Sequence, residues 1–220
     1  MPPADTGSQI VNIFSMLLLV ITFAIVAQRR LSACVDLFVL QSVFLAVTAA
    51  LVAFLTGKNH IYIAALLTIL VKAVIIPVIL RRIIVRLNVT RELVFNINIP
   101  ASLLICAALV ILSFSVAQPI IPLGFLLTRE SLAIALAIIL IGFFTMISRK
   151  KAVTQVIGFL VVENGIFLGA TVAAYGMPLI VELGVFFDVL VAAIIGGIFT
   201  HRIQDTFDSV DVSKMTVLKE

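Results

Sequence analysis

The chain of 220 residues is 63% apolar and only 12% charged, and its mean hydropathy is +1.30. This composition excludes an ordinary soluble domain and predicts an integral membrane protein. The formal net charge of +4 would indicate an acidic partner in a soluble protein. Here the basic residues cluster at the ends of apolar segments, where they indicate membrane topology instead.

Seven apolar segments follow one another along the chain with short connections. Each is long enough for a helix to cross about 30 Å of hydrocarbon at about 1.5 Å per residue. Continuous apolar runs exclude a transmembrane barrel, whose strands would alternate. The sequence therefore predicts an all-α polytopic bundle with spans at 10–28, 34–56, 60–81, 98–117, 130–148, 152–174 and 178–200.

Basic residues mark one side of this bundle. They follow the first, third, fifth and seventh spans, whereas Lys58 and Arg129 alone lie on the other side. The positive-inside rule then predicts an N-terminus outside and a C-terminus in the cytoplasm. The residues on the basic side are Arg29, Arg30, Arg81, Arg82, Arg86, Arg91, Arg149, Lys150, Lys151 and Arg202.

The order of the spans predicts four regions. A three-helix bundle occupies 1–97, a linking span with an outer loop 98–129, a second three-helix bundle 130–202, and a cytoplasmic tail 203–220. Prolines at positions 119 and 122 are expected to break the chain after the fourth span.

The two three-helix regions resemble a weak, parallel internal repeat. Superposing the second span on the sixth places Gln41 opposite Glu163, and superposing the third on the seventh places Lys72 opposite Asp188. Chance similarity between apolar helices is the alternative explanation.

Two acids lie near the middle of the last two spans, Glu163 in VVEN and Asp188 in VFFDVL. A carboxylate at mid-depth costs about 2.5–3.5 kcal/mol on insertion scales, so such acids commonly mark a transport pathway. Because the two spans are expected to be antiparallel neighbours, both acids reach a similar depth. They are the predicted proton-transfer groups, and neutral acids that only hold helices together are the alternative.

Lys72 is predicted to be the basic partner of one of these acids, because it lies at a comparable depth in the third span. Pro77 removes a backbone donor and clashes with the carbonyl of Ala73, so the helix should be loosened beside Lys72. A static ion pair is the alternative role for the lysine.

Three other polar residues are secondary candidates for the proton pathway: Glu182, Gln41 and Asp36. Glu182 and Asp36 lie near helix ends, where a capping or surface role is the favoured explanation. Gly165 and Gly169 form a GxxxG motif that favours close helix packing.

No motif for a catalytic centre occurs in the chain. Cys34 and Cys106 form no CxxC pair, so neither a metal site nor a disulfide framework is predicted.

The stretch from RKK through VVEN and AAYGMP to VELGVFFDVLVAAIIGG, about residues 151–202, resembles the K subunit of respiratory complex I and its relatives in multi-subunit cation/proton antiporters. That subunit carries one acid in its second helix and one in its third. Glu163 matches the first position and Asp188 the second, with Asp in place of the usual Glu.

Over nearly its whole length the chain is similar to the membrane component E family of hydrogenase-4, a formate-hydrogenlyase-type complex. The resemblance implies a multi-pass subunit in the inner membrane of a prokaryotic cell, beside antiporter-like subunits and a hydrophilic hydrogenase arm. It also implies that the [NiFe] centre and the iron–sulfur clusters belong to partner subunits, and that this chain holds no cofactor.

Three functions stay open at this point. The first is a proton-conducting subunit of a redox-driven complex, the second a scaffold for its assembly. The third is a subunit of a sodium/proton antiporter without redox chemistry.

Overall fold

A computed structural model describes residues 4–86, 97–120 and 129–173, together with the single positions 190 and 197. The described part consists of helices joined by short connections and contains six helices long and apolar enough to cross a membrane. The predicted fold class, a polytopic membrane helix bundle, is therefore confirmed. Apart from positions 190 and 197, the seventh predicted span, with Glu182 and Asp188, lies outside the described residues, as does the predicted tail.

The first three spans are longer than expected. Helix α1 covers Ala4–Ala27, and α2 covers Leu31–Thr56. The residue after α2, Gly57, caps the helix in the left-handed conformation that glycine adopts without strain. The third span is continuous but changes its winding: α3 covers Asn59–Thr68, a π-helical segment covers Ile69–Ile75, and α4 covers Ile76–Arg86.

The remaining helices are α5 at Ile99–Ile120, α6 at Arg129–Ser148 and α7 at Ala152–Ala173. Pro100 lies in the first turn of α5, where its missing N–H leaves no intrahelical bond unmade. The expected break at Pro119 was placed too early, because α5 extends to Ile120.

Helices α1, α2, α7 and α6 form a four-helix square in which each packs on two of the others. The third span packs on α2, and α5 packs on α6 and α1. Val153–Ala173 is the most deeply buried of the six spans. The helix that carries Glu163 is thus at the centre of the described bundle.

Close contact between α6 and α7 depends on glycines. A Cβ atom at Gly142 would lie 2.8 Å from the backbone nitrogen of Val162, and one at Gly158 would lie 3.1 Å from the carbonyl oxygen of Gly142. These distances are shorter than nearly all contacts that a Cβ atom makes, so the two backbones pack closely on each other.

Candidate functional site

The candidate site begins with Lys72, which the π-helical segment carries into the bundle. Pro77 has no N–H to donate to the carbonyl of Ala73, and the N–H of Ile76 bonds instead to the carbonyl of Val71, five residues back. The loosening expected beside Lys72 therefore takes the form of a π-turn. The side chain of Lys72 is fully buried.

Lys72 meets Glu163 of α7. Its Nζ lies 2.7 Å from Glu163 Oε1, and the exposed fractions of the two side chains are 0% and 5%. Glu163 sits at the middle of α7, so the ion pair lies near half-depth of the bundle. A buried pair of this kind gains stability only when its geometry is good and further hydrogen bonds satisfy both partners.

Asn164, the next residue of α7, supplies such a bond. Lys72 Nζ donates to Asn164 Oδ1 at 2.9 Å. The ammonium also lies 5.5 Å from the centre of the Phe167 ring, where a cation–π attraction adds to its stabilisation. The cation is thus surrounded by three groups from two consecutive turns of α7.

A line of hydrogen bonds continues from Asn164 to α2 and α1. Asn164 Nδ2 donates to Gln41 Oε1 at 3.0 Å, and Gln41 Nε2 donates to Thr22 Oγ1 at 2.8 Å. The Thr22 hydroxyl donates in turn to the carbonyl oxygen of Leu18, at 2.8 Å. All of these side chains are buried. The line Lys72–Asn164–Gln41–Thr22 is called the amide chain below.

The carboxyl group of Glu163 has one oxygen toward the ammonium and one that has no hydrogen-bond partner among the described residues. Proton transfer across the 2.7 Å contact would break a bond between Nζ and hydrogen and form one at Oε1. The second oxygen remains able to exchange a proton with another group. The arrangement can therefore hold and pass on one proton.

The secondary candidates for the proton pathway lie in different parts of the molecule. Gln41 lies in the amide chain, whereas Asp36 forms an ion pair with Arg81 at 2.6 Å in which both side chains are more than half exposed. Asp36 is therefore part of a surface pair. The roles of Asp188 and Glu182 stay predictions.

The packing candidates also differ from one another. A Cβ atom at Gly165 would lie 2.8 Å from Ile139 Cγ1 and 3.0 Å from the carbonyl oxygen of Ala135, whereas one at Gly169 would be at 3.5 Å or more from α6. Gly165 is thus required for close packing, and Gly169 lines an apolar groove between α5, α6 and α7.

Asn164 and Thr22 were not recognised as candidates from the sequence. Asn164 directly follows the acid in VVEN, and an uncharged amide at mid-span is itself a costly residue in a membrane. The mid-span position of Asn164 could therefore have identified it as a candidate from the sequence. Thr22 carried no comparable signal, because threonines in membrane helices usually bond their own backbone.

Arg149 also departs from expectation. It was interpreted only as a loop charge, yet its side chain is 3% exposed and its guanidinium donates to the carbonyl oxygen of Val26 near the end of α1. A cation at this position stabilises the C-terminus of a helix. Within the described residues, no group of three or more His, Cys, Asp or Glu side chains is placed to hold a metal ion.

Comparison with known proteins identifies relatives along almost the whole chain. The chain is 34% identical over 197 residues to the uncharacterized protein Rv0085 of Mycobacterium tuberculosis, which covers 89% of this chain and 90% of that protein. It is 26% identical over 218 residues to hydrogenase-4 component E of Escherichia coli, across 97% and 99% of the two chains. No family model and no solved structure matches.

The chain therefore belongs to one family with the Mycobacterium tuberculosis protein, and the expected similarity to hydrogenase-4 component E is confirmed.

Proposed function

We propose that this chain is a membrane-arm subunit of a redox-driven, proton-translocating complex of the hydrogenase-4 type, and that Lys72 and Glu163 form a proton-transfer site within it. Similarity to component E over 97% of the chain supports the assignment to such a complex. The multi-pass helix bundle fits a membrane arm.

The buried pair of Lys72 and Glu163 carries the proposal for proton transfer. Intramembrane ionisable groups are costly and commonly serve ion pathways. The 2.7 Å contact lets a proton pass between Nζ and Oε1 with little movement of either side chain. The second oxygen of Glu163 then links the pair to a further group along the membrane, for which Asp188 is the predicted candidate.

The chemistry of the pair favours protons over sodium as the transported ion. Glu163 contacts an ammonium group, which also donates to the Asn164 side chain and lies over the apolar ring of Phe167. A sodium ion bound at Glu163 would have to compete with a cation already held in place by the protein.

The charge pattern supports an orientation in the membrane, and the similarity supports a set of partners. The basic ends of the first, third and fifth spans would face the cytoplasm, in the inner membrane of a prokaryotic cell. Antiporter-like subunits would lie beside the chain, and hydrophilic hydrogenase subunits would carry the [NiFe] centre and the iron–sulfur clusters. The chain itself would pass protons laterally between its neighbours.

A scaffold function is the second candidate. The amide chain and the ion pair join α1, α2, the third span and α7, and such cross-links hold helices in place without transport. The two functions differ in one respect. A scaffold requires the shape and the hydrogen bonds of Glu163, whereas a proton relay requires its ionisable carboxyl group.

Glu163→Gln separates the two functions, because glutamine keeps the shape but cannot take up or release a proton. The complex would be purified with its partner subunits, reconstituted in lipid vesicles and assayed for proton movement with a pH-sensitive dye. We expect an assembled complex whose electron transfer on the soluble arm partly survives and whose coupled proton movement is abolished. Glu130→Gln is the matched control, because Glu130 is exposed and bonds only to Asn12 among the described groups.

Full proton movement in Glu163→Gln would remove the relay, and failed assembly without an uncoupled state would favour the scaffold. Elemental analysis and mass spectrometry of the same preparation would test which metals and subunits the complex contains. Nickel, iron and a hydrogenase large subunit are expected. Antiporter-like subunits without these metals would instead indicate a cation/proton antiporter without redox chemistry.

A further inference from the structure

The amide chain has one direction from end to end. Lys72 donates to Asn164, Asn164 donates to Gln41, and Gln41 donates to Thr22. The Thr22 hydroxyl then donates to the carbonyl oxygen of Leu18. Each side chain accepts from the side of the cation and donates away from it.

The cation dictates this direction. An ammonium group only donates, so Asn164 must turn its Oδ1 toward Lys72 and its Nδ2 toward α2. Gln41 must then accept with Oε1 and donate with Nε2, because a reversed amide would face the Asn164 NH₂ group with another NH₂ group. The orientation of both amides is thereby determined by chemistry.

Both amide dipoles consequently point their negative ends toward Lys72. Hydrogen bonds aligned in this way polarise one another, and the effect is strong where water is excluded. The ammonium is therefore stabilised by an acceptor that does not depend on the charge of Glu163. An ammonium held by Glu163 alone would lose its main acceptor whenever that carboxyl group became protonated.

We infer that Asn164, Gln41 and Thr22 are positioning residues that hold Lys72 Nζ in place while Glu163 gains and loses its proton. The amides do not conduct protons, because each N–H they donate is held on a nitrogen that does not readily release it. The path for protons would then run through the second oxygen of Glu163. This inference rests on the proposed function and assigns roles to Asn164 and Thr22.

Thr22→Val tests the inference at the far end of the amide chain. Valine has the shape of threonine but removes the acceptor of Gln41, which leaves a buried N–H group unsatisfied. Gln41 is then free to turn, Asn164 loses its acceptor, and the support for Lys72 weakens. Thr22→Ser keeps the hydroxyl group and should restore the wild-type behaviour.

Thr48→Val is a matched control. Thr48 is also buried, and its hydroxyl group donates to the carbonyl oxygen of Phe44 four residues back, as Thr22 does to Leu18. It takes no part in the amide chain. A change seen in Thr22→Val but absent from Thr48→Val cannot come from the mere loss of a buried threonine hydroxyl.

The readout is the reactivity of Glu163 toward dicyclohexylcarbodiimide in the assembled complex, measured by mass spectrometry of the modified peptide. The reagent adds a protonated carboxyl group across its C=N bond, so a carboxylate paired with an ammonium is protected. We expect Thr22→Val to raise the labelling rate roughly two- to tenfold, the range that follows from losing one hydrogen bond. Thr22→Ser and Thr48→Val should label at the wild-type rate.

The infrared carboxyl band of Glu163, identified by its loss in Glu163→Gln, should shift in Thr22→Val. If Thr22→Val fails to assemble, Gln41→Met interrupts the same chain with an apolar side chain of similar length and carries the same expectation. Wild-type labelling and an unshifted band in the assembled variant would overturn the inference. Because labelling requires no transport, its result is independent of whether Glu163→Gln still moves protons.

Discussion

Glu163 and Asn164 are consecutive residues of α7, and both contact the same ammonium group, at 2.7 Å and 2.9 Å from Lys72 Nζ. Consecutive residues of an α-helix point about 100° apart, so the ammonium lies in the angle between them. Of these two acceptors, Glu163 is ionisable and Asn164 is not. One position of α7 thus supplies an acceptor whose charge changes with protonation, and the next position supplies an acceptor whose charge does not change.

The exposed ion pair of Asp36 and Arg81 should behave differently from the buried one. Its two side chains are 61% and 58% exposed, and ion pairs in water contribute about 0–1 kcal/mol. Asp36→Asn should therefore lower the free energy of unfolding by less than about 1 kcal/mol. Proton movement in reconstituted vesicles should equal that of the wild type, and its loss would return Asp36 to the proton pathway.

The two glycines of the GxxxG motif should differ in their tolerance of a methyl group. Gly165→Ala forces a contact of 3.0 Å with the carbonyl oxygen of Ala135, which belongs to the backbone and cannot turn aside. Overpacking of this kind costs about 1–3 kcal/mol. Gly169→Ala meets Ala135 Cβ at 3.5 Å, an ordinary contact, and should be neutral.

Thermal unfolding of the two glycine variants in detergent would measure the difference. Gly165→Ala should unfold at a clearly lower temperature than Gly169→Ala. Equal unfolding temperatures would mean that α6 moves away from α7 without cost, contrary to the close packing.

The spans could be predicted because their apolar length is determined by the thickness of the bilayer. Their ends could not, since α1 begins with polar residues and α4 ends with arginines that hydropathy assigns to loops. The sequence also predicted that Lys72 would meet an acid, but depth alone does not distinguish Glu163 from Asp188. The amide chain could not be predicted from the sequence, because it depends on how four helices are rotated about their axes.

The π-helical segment depends on Pro77, so Pro77→Ala should change its winding. The substitution supplies an N–H group that can donate to the carbonyl of Ala73 and favours α-helical winding. Removing the π-turn rotates one half of the span by about 100° relative to the other, which would turn Lys72 away from Glu163. We expect slower amide hydrogen exchange across 69–77 and reduced proton movement.

Pro100→Ala is the control for that change, because Pro100 lies in the first turn of α5, where a proline replaces no intrahelical bond. Unchanged exchange across 69–77 in Pro77→Ala would show that the π-turn has another cause, such as the burial of Lys72 itself.

Removing one or both members of the buried pair should have opposite effects on stability and the same effect on transport. Lys72→Met leaves the Glu163 carboxylate without its cation, and breaking a buried pair in this way costs about 3–5 kcal/mol. Combining Lys72→Met with Glu163→Leu removes both charges, and apolar replacement of a buried pair is often neutral or stabilising. The double variant should therefore unfold at a higher temperature than the single variant.

Neither variant should move protons, because neither retains the transferable proton between Nζ and Oε1. The double variant is the decisive test, because we expect it to regain the stability that the single variant loses and still to lack proton transport. A relay needs the ionisable carboxyl group, so a stable double variant that still translocates protons would rule out the relay. A stable double variant that assembles with its partners and translocates none would show that the two charges are retained for proton transfer despite their cost in the membrane.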